Sequence, residues 1–204
     1  MLSRRSFLMQ LSGAVAVAEA FPRSLWAEDK AVHVPGKEGM IVRSARFLDL
    51  EMPMEDLKIW ITPLPHFFVR NHMHEPSTLD PSTWALTISG EVESPLTLSL
   101  ADLKKLELHS VINTLECAGN GRAFQQPHVP GVQWERGAVG TARFSGPRMR
   151  DLLQRARVKS TGKHVMFRGL DEVPGKVPAF IRSIPLEKAT DADTLVALEM
   201  NNAP

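Results

Sequence analysis

Proline and glycine punctuate this chain almost without pause, and that limits what it can fold into. Fifteen prolines and 13 glycines are spread through its 204 residues. Proline removes a backbone donor and glycine favours turns, so many short strands joined by turns are expected rather than a helical bundle. The effect is sharpest between residues 62 and 81, where Pro63, Pro65, Pro76 and Pro81 demand an irregular segment. The length still suffices for one domain with a sizeable core, or one domain and part of another.

Between these breaks the periodicity is readable. Trp84, Leu86, Ile88 and Val92 alternate with smaller or polar residues, the signature of a half-buried strand. Ser99 followed three residues later by Asp102 predicts a capped short helix. Val111 to Leu115 reads as a buried strand ending at Cys117, and Ala118-Gly119-Asn120-Gly121 as a loop open to positive φ. Gly146-Pro147 opens a helix with Met149, Leu152, Leu153 and Ala156 on one face. His164 to Phe167 and Leu195 to Met200 read as further strands. Strands and helices mix without a regular βαβ rhythm, which gives an α+β fold. No internal repeat and no low-complexity segment is visible.

The N-terminus reads as an address. Arg4-Arg5-Ser6-Phe7-Leu8 precedes an apolar run to Ala18, with Ala27 as a cleavage position. This is the layout of a twin-arginine export signal over residues 1–27, and it implies a periplasmic protein. The run is too short to span a bilayer, which takes about 20 apolar residues. Residues 28–61 then read as an extended lead-in and 62–204 as the functional domain.

Net charge is +1, with 24 basic residues in no block and no stacking aromatics between them, so nucleic acid is set aside as a partner. An exported chain ordinarily uses cysteines in pairs, yet this one has a single cysteine and can form no internal disulfide. A lone thiol is a core filler, a reactive group or a metal ligand.

Three segments carry candidate chemistry. In Glu116-Cys117-Ala118-Gly119-Asn120-Gly121-Arg122 a thiol leaves a strand end into a glycine-rich turn. A thiolate is a soft ligand for a transition metal, and Arg122 could stabilise it or bind an anion. In Phe68-Val69-Arg70-Asn71-His72 a donor-rich cluster sits in a proline-bounded loop, and a guanidinium matches two oxygens of an oxyanion at once. In Gly169-Leu170-Asp171 an acid follows a strand and could accept hydrogen bonds from a heterocycle edge. Taken one at a time, each has a plain alternative: a core cysteine, a solvated loop, a turn-capping aspartate.

Taken together and in this order, with Ser183-Ile184-Pro185, Trp84 to Gly90 and Trp134 to Gly140, these segments resemble the molybdopterin-binding domain of the sulfite oxidase family. The Trp134-Glu135-Arg136-Gly137 stretch is similar to bacterial sulfite and sulfane dehydrogenases. The resemblance covers nearly everything after the leader and implies a mixed-sheet α+β domain holding a molybdenum–molybdopterin cofactor. It implies that Cys117 binds the metal and that Arg70 and Arg122 line an oxyanion pocket. Phe68, Arg70, Asn71, His72 and Asp171 would then contact the cofactor. The implied reaction is two-electron oxidation of sulfite or a related sulfur oxyanion at an oxo-molybdenum centre. Electrons would pass singly to a cytochrome c. The chain ends at Pro204 without the His-Gly-Phe-Pro turn, the active-site tyrosine or the immunoglobulin-like domain of that family. It therefore resembles the N-terminal part of a longer enzyme, expected to be a homodimer or paired with a haem subunit.

Other readings remain. One is an inactive truncated cofactor-binding fragment. Another is a thiol-dependent hydrolase pairing Cys117 with a histidine such as His128. A zinc site is weaker, since His72 and His74 stand two apart with no fuller ligand spacing.

Overall fold

The computed structural model describes residues 33–45, 47–73, 79–171, 173, 175–176 and 178–204. The leader expected at residues 1–27, and His74, lie outside the described residues. Strands and short helices alternate through the unit that begins at Val34. Strand β1 is Ile41–Ser44, β2 Asp49–Glu51, β3 Val69–Arg70, β4 Ala85–Ile88 and β5 Leu96–Ser99. Helix α1 (Leu100–Lys104), β6 (His109–Glu116), β7 (Val139–Gly146) and α2 (Met149–Ala156) follow. The last elements are β8 (His164–Arg168), β9 (Ile181–Pro185), α3 (Leu186–Ala189) and β10 (Glu199–Met200).

The strands form four small sheets, ordered β1-β2-β3, β10-β7-β6, β4-β5 and β8-β9. With the helices between them this is the expected α+β architecture. Every named pairing is antiparallel, so the parallel pairs of a mixed sheet are absent among the described residues. The register of β6 on β7 runs unbroken from His109↔Gly146 to Glu116↔Val139. It ends one residue short of Cys117.

The α2 face is as the periodicity predicts: Met149, Leu152, Leu153 and Ala156 are all buried. Met149 and Leu153 pack with Ala189, and around them close Ile88, Val158, Val165, Ile184, Leu186 and Val196. Burying each leucine contributes roughly 1.5–3 kcal/mol. The Ser99 cap is also as expected. The Asp102 N–H donates to Ser99 Oγ at 3.1 Å, and the Ser99 N–H donates back to Asp102 Oδ2 at 3.2 Å.

Three expectations need correction. The strand ending at Cys117 is not buried. It is the longer β6, an edge strand on which Ile112 and Leu115 are 49% and 41% exposed, because β7 takes the central place between β6 and β10. The strand from Leu195 to Met200 shrinks to β10, with Leu195 in an isolated bridge to Arg148. Backbone bonds still tie this segment to β7 and the residues after it (the Val196 N–H to Pro147 O, Leu198 N–H to Ser145 O, Asn201 N–H to Arg143 O), and side-chain bonds add to them: Asn201 Nδ2 donates to Thr62 O and Asn201 Oδ1 accepts from the Arg143 N–H, both at 2.9 Å. Lastly, the lead-in of residues 28–61 holds more than extended chain. It contains β1 and β2, and every residue of β2 is buried.

Candidate functional site

The thiol segment is held by hydrogen bonds to the loop before β7. The Cys117 N–H donates to Ala138 O at 2.9 Å, extending the β6–β7 ladder by one rung. Its carbonyl accepts from the Asn120 N–H at 2.8 Å, which turns the chain. Gly121, at φ 83°, then donates its N–H to Glu135 O at 2.6 Å. The expected positive φ falls here. Asn120 stitches the two loops together. Its Nδ2 donates to Glu116 Oε1 at 2.9 Å and to Arg136 O at 3.3 Å, and its Oδ1 accepts from the Ala138 N–H at 3.2 Å. Cys117 is half-buried and unbridged at the lip of this turn.

Arg122 folds back over the same turn. Its Nη1 donates to Val132 O at 3.2 Å, and the guanidinium lies against Gly119 and Gly131. A β-carbon at Gly119 would stand 2.8 Å from Nη2, and one at Gly131 would collide with Nη1. Two bare glycines thus make the slot for the cation. Among the described residues no carboxylate pairs with it, which leaves its charge available to an anion.

The arginine segment is positioned by β2. Leu50 pairs with Val69 and Asp49 with Arg70. Phe67 is buried, and the half-buried Phe68 meets the fully buried Trp134 edge-on, ring centroids 6.5 Å apart. Since Trp134 O accepts from the Ala123 N–H at 3.0 Å, this contact links the arginine segment to the thiol segment. Arg70 Nη1 donates to Asn71 O and, at 3.4 Å, to Asp49 Oδ1. Arg70 Nη2 lies 3.2 Å from His72 Nδ1. A guanidinium can only donate, so as a hydrogen bond this contact has Nδ1 as its acceptor. Burial raises the Asp49 pKa above its ordinary value, against the opposing pull of Arg70 and of the Asn71 N–H.

The third segment is only partly drawn in. The His72 ring lies 5.6 Å from that of Phe180, just before β9, and Arg182 stacks over Phe180 at 4.1 Å. Asp171 is exposed on the loop after β8, with its carboxylate folded over Gly169. The structure does not bring it to Cys117 or Arg70. No group of three or more His, Cys, Asp or Glu residues able to hold a metal exists among the described residues, so the zinc reading gains nothing. His128 is exposed, and among the described residues no hydrogen bond joins it to Cys117. A cavity of about 450 Å³ opens elsewhere, between β4, α2 and β8, and none of these candidate residues lines it.

Sequence reasoning missed the supports of this site: Asp49, Glu51 and Arg43. The acid–apolar–acid pattern of Asp49-Leu50-Glu51 looks like a solvent-facing strand, and nothing local says that both acids are buried. Trp134 was part of the resemblance, but not as the fully buried ring linking two site segments.

The family described as oxidoreductase molybdopterin binding domain matches residues 72–204. The chain is 43% identical over 171 residues to mitochondrial sulfite oxidase of Rattus norvegicus, covering 80% of this chain and 31% of that protein. It is 41% identical over 187 residues to the Homo sapiens enzyme, covering 88% and 33%. The crystal structure of the sulfane dehydrogenase SoxCD from Paracoccus pantotrophus superposes with a TM-score of 0.64 at 26% identity, over 86% of this chain and 41% of that one. The chain thus spans about a third of the length of these curated relatives.

The cofactor that goes with this domain is molybdenum–molybdopterin, and the residues present fit it. A soft thiol stands at the lip of a turn, a cation without a carboxylate lies beside it, and the buried Trp134 Nε1 has no acceptor among the described residues. Matched through residues 72–204 and alike in fold, the chain belongs to the molybdopterin-binding oxidoreductase family that includes the sulfite oxidases.

Proposed function

We propose that this chain is the cofactor-binding part of an exported oxidoreductase that converts sulfite, or a related sulfur oxyanion, to its more oxidised form. The observation carrying this reading is the pairing, on one turn, of a half-buried lone thiol with the unneutralised guanidinium of Arg122. In the overall reaction sulfite gains one oxygen from water and gives up two electrons, and the two protons of that water are released. When bound, the cofactor supplies the two-electron redox and oxygen-transfer chemistry.

The residues of the chain bind, orient and shield. Cys117 holds the metal through its thiolate, a soft donor suited to it. Arg122 and Arg70 attract and orient the anion, since each guanidinium offers parallel N–H donors. His72, whose Nδ1 lies against Arg70, would contact the cofactor together with Asn71. The Phe68–Trp134 contact joins the arginine segment to the thiol segment from the buried side. A pterin contact by Asp171 rests on the resemblance alone.

The relatives named sulfite oxidase support the substrate class, and a cytochrome c is the proposed acceptor. The twin-arginine pattern supports a periplasmic location, and the enzyme as a homodimer or partnered with a haem subunit is part of the same proposal. No described helix is long and apolar enough to cross a membrane. The domain assigned to 62–204 is taken to include β1 and β2, because β2 packs beneath the site. A second reading, an inactive fragment needing further chain, is favoured by the exposed apolar residues of β6.

Elemental analysis of the purified protein and of Cys117→Ser tests the assignment. The substitution is expected to abolish both molybdenum retention and sulfite-dependent reduction of cytochrome c. Unchanged turnover would reject Cys117 as the ligand. Metal binding without turnover in the unsubstituted chain would select the second reading.

A further inference from the structure

Strand β2 carries two acids, Asp49 and Glu51, each 1% exposed. Residues i and i+2 of a strand point to one face. Burying two carboxylates on one face is costly unless each is fully paired. Here each is claimed by a different loop. Asp49 Oδ1 accepts the Asn71 N–H at 3.2 Å and Arg70 Nη1 at 3.4 Å. Glu51 Oε1 accepts the Gly137 N–H at 2.6 Å, while its Oε2 accepts the Glu135 N–H at 3.1 Å and Arg43 Nε. Arg43 also reaches Glu135 Oε1 through Nη2 at 2.9 Å, closing a small network.

The loop gripped by Glu51 is the one that grips the thiol turn. Glu135 O receives the Gly121 N–H and Ala138 O receives the Cys117 N–H. The approach is close: the Met52 N–H donates to Gly137 O at 3.1 Å, and a β-carbon on Gly137 would strike Met52 O. Burial alone would raise the Glu51 pKa, but the Gly137 and Glu135 N–H groups together with Arg43 outweigh it and hold the carboxyl below its ordinary value.

We propose that Asp49 and Glu51 are positioning residues: β2 is a strut whose two carboxylates set where the Arg70 side chain stands relative to Cys117. Neither touches substrate or cofactor. A hydrophobic pair of similar size could fill the space but could not orient the Arg70 segment and the 135–138 loop, and rigid support of site groups is what such an outer layer supplies. The roles of Arg70 and Cys117 rest on the function proposed above. The strut itself rests on the hydrogen bonds alone.

Three measurements test it. In hydrogen exchange of the unsubstituted protein, the amides of Asn71, Glu135 and Gly137 lie outside strands and helices, yet are expected to exchange at least about tenfold more slowly than exposed loop amides nearby. Free exchange at these amides would overturn the strut whether or not any variant folds. Cys117 is the only thiol, so iodoacetamide labelling of the metal-free protein reads its turn alone. Glu51→Gln is expected to raise the labelling rate about fivefold or more, and Asp49→Asn to leave it within about twofold. In the cofactor-loaded enzyme, Asp49→Asn is expected to raise KM for sulfite about tenfold with kcat little changed. A general loss of packing would move labelling and KM together in both variants, and that result overturns the proposal. Should exchange and labelling behave as expected while KM stays unchanged, the strut stands and the oxyanion role of Arg70 falls.

Discussion

The guanidinium of Arg122 lies directly on Gly131, in space that any β-carbon at that position would need. Gly131 also sits at φ 119°, in the region that side chains avoid. Gly131→Ala is therefore expected to cost about 1–3 kcal/mol of stability and to push Arg122 from its slot. Urea unfolding would give the stability term, and a raised KM for sulfite in the loaded enzyme would show the displacement. A variant with both values unchanged would show that the slot does not define the position of the cation.

Leu152 has no exposed surface on the inner face of α2. Leu152→Ala is expected to destabilise the protein by about 2–5 kcal/mol, the cost of lost burial plus a residual cavity. The change lies away from the thiol turn, so labelling of Cys117 in the fraction still folded should not change. Thermal unfolding combined with labelling checks both halves of the statement.

The Ser99–Asp102 capping box joins β5 to α1. Ser99→Ala removes the Oγ that accepts the Asp102 N–H and donates to Asp102 Oδ2, leaves the bond from the residue 99 N–H in place, and is expected to cost about 1 kcal/mol. A loss above about 2 kcal/mol in denaturant unfolding would mean that Ser99 supports more than the cap.

The two acids of β2 give opposite dependences on pH. Glu51 is held below its ordinary value of 4.5, so its stabilisation is full above that pH and is lost as pH falls through the lower folded value. Asp49 is raised above 3.8, so the fold binds its proton more tightly than the unfolded chain does, and its contribution weakens as pH rises through that window. Glu51→Gln should flatten the acid limb of the stability profile, whereas Asp49→Asn should steepen the net loss of stability on acidification. Denaturant midpoints measured from pH 3 to pH 7 (a range of roughly four units) would reveal the two signs. The same slope in both variants would contradict them.

Much of this fold was legible because the signals were local. The α2 stripe and the Ser99 cap depend on residues within one or two turns of each other, and both lie where the sequence puts them. The α+β class followed from proline, glycine and short periodic runs. The thiol turn was legible through its residue types, and its resemblance gave the family. What could not be read were relations across long separations. Glu51 meets Gly137 across 86 residues, and no periodicity encodes that pairing. Hydrophobic Val111 to Leu115 promised a buried strand, since apolar content reports a wish for burial and not whether a neighbour is present. Asp171 was legible as an acid after a strand, but its loop turns the side chain back on Gly169.

The outer edge of β6 has a further consequence. Eight residues of regular strand present every second amide and carbonyl to whatever lies alongside, and the exposed Ile112 and Leu115 add apolar surface on either face of the strand. Such an edge is open to pairing with another strand, so the isolated chain is expected to self-associate as its concentration rises, and sedimentation that stays monomeric throughout would contradict this.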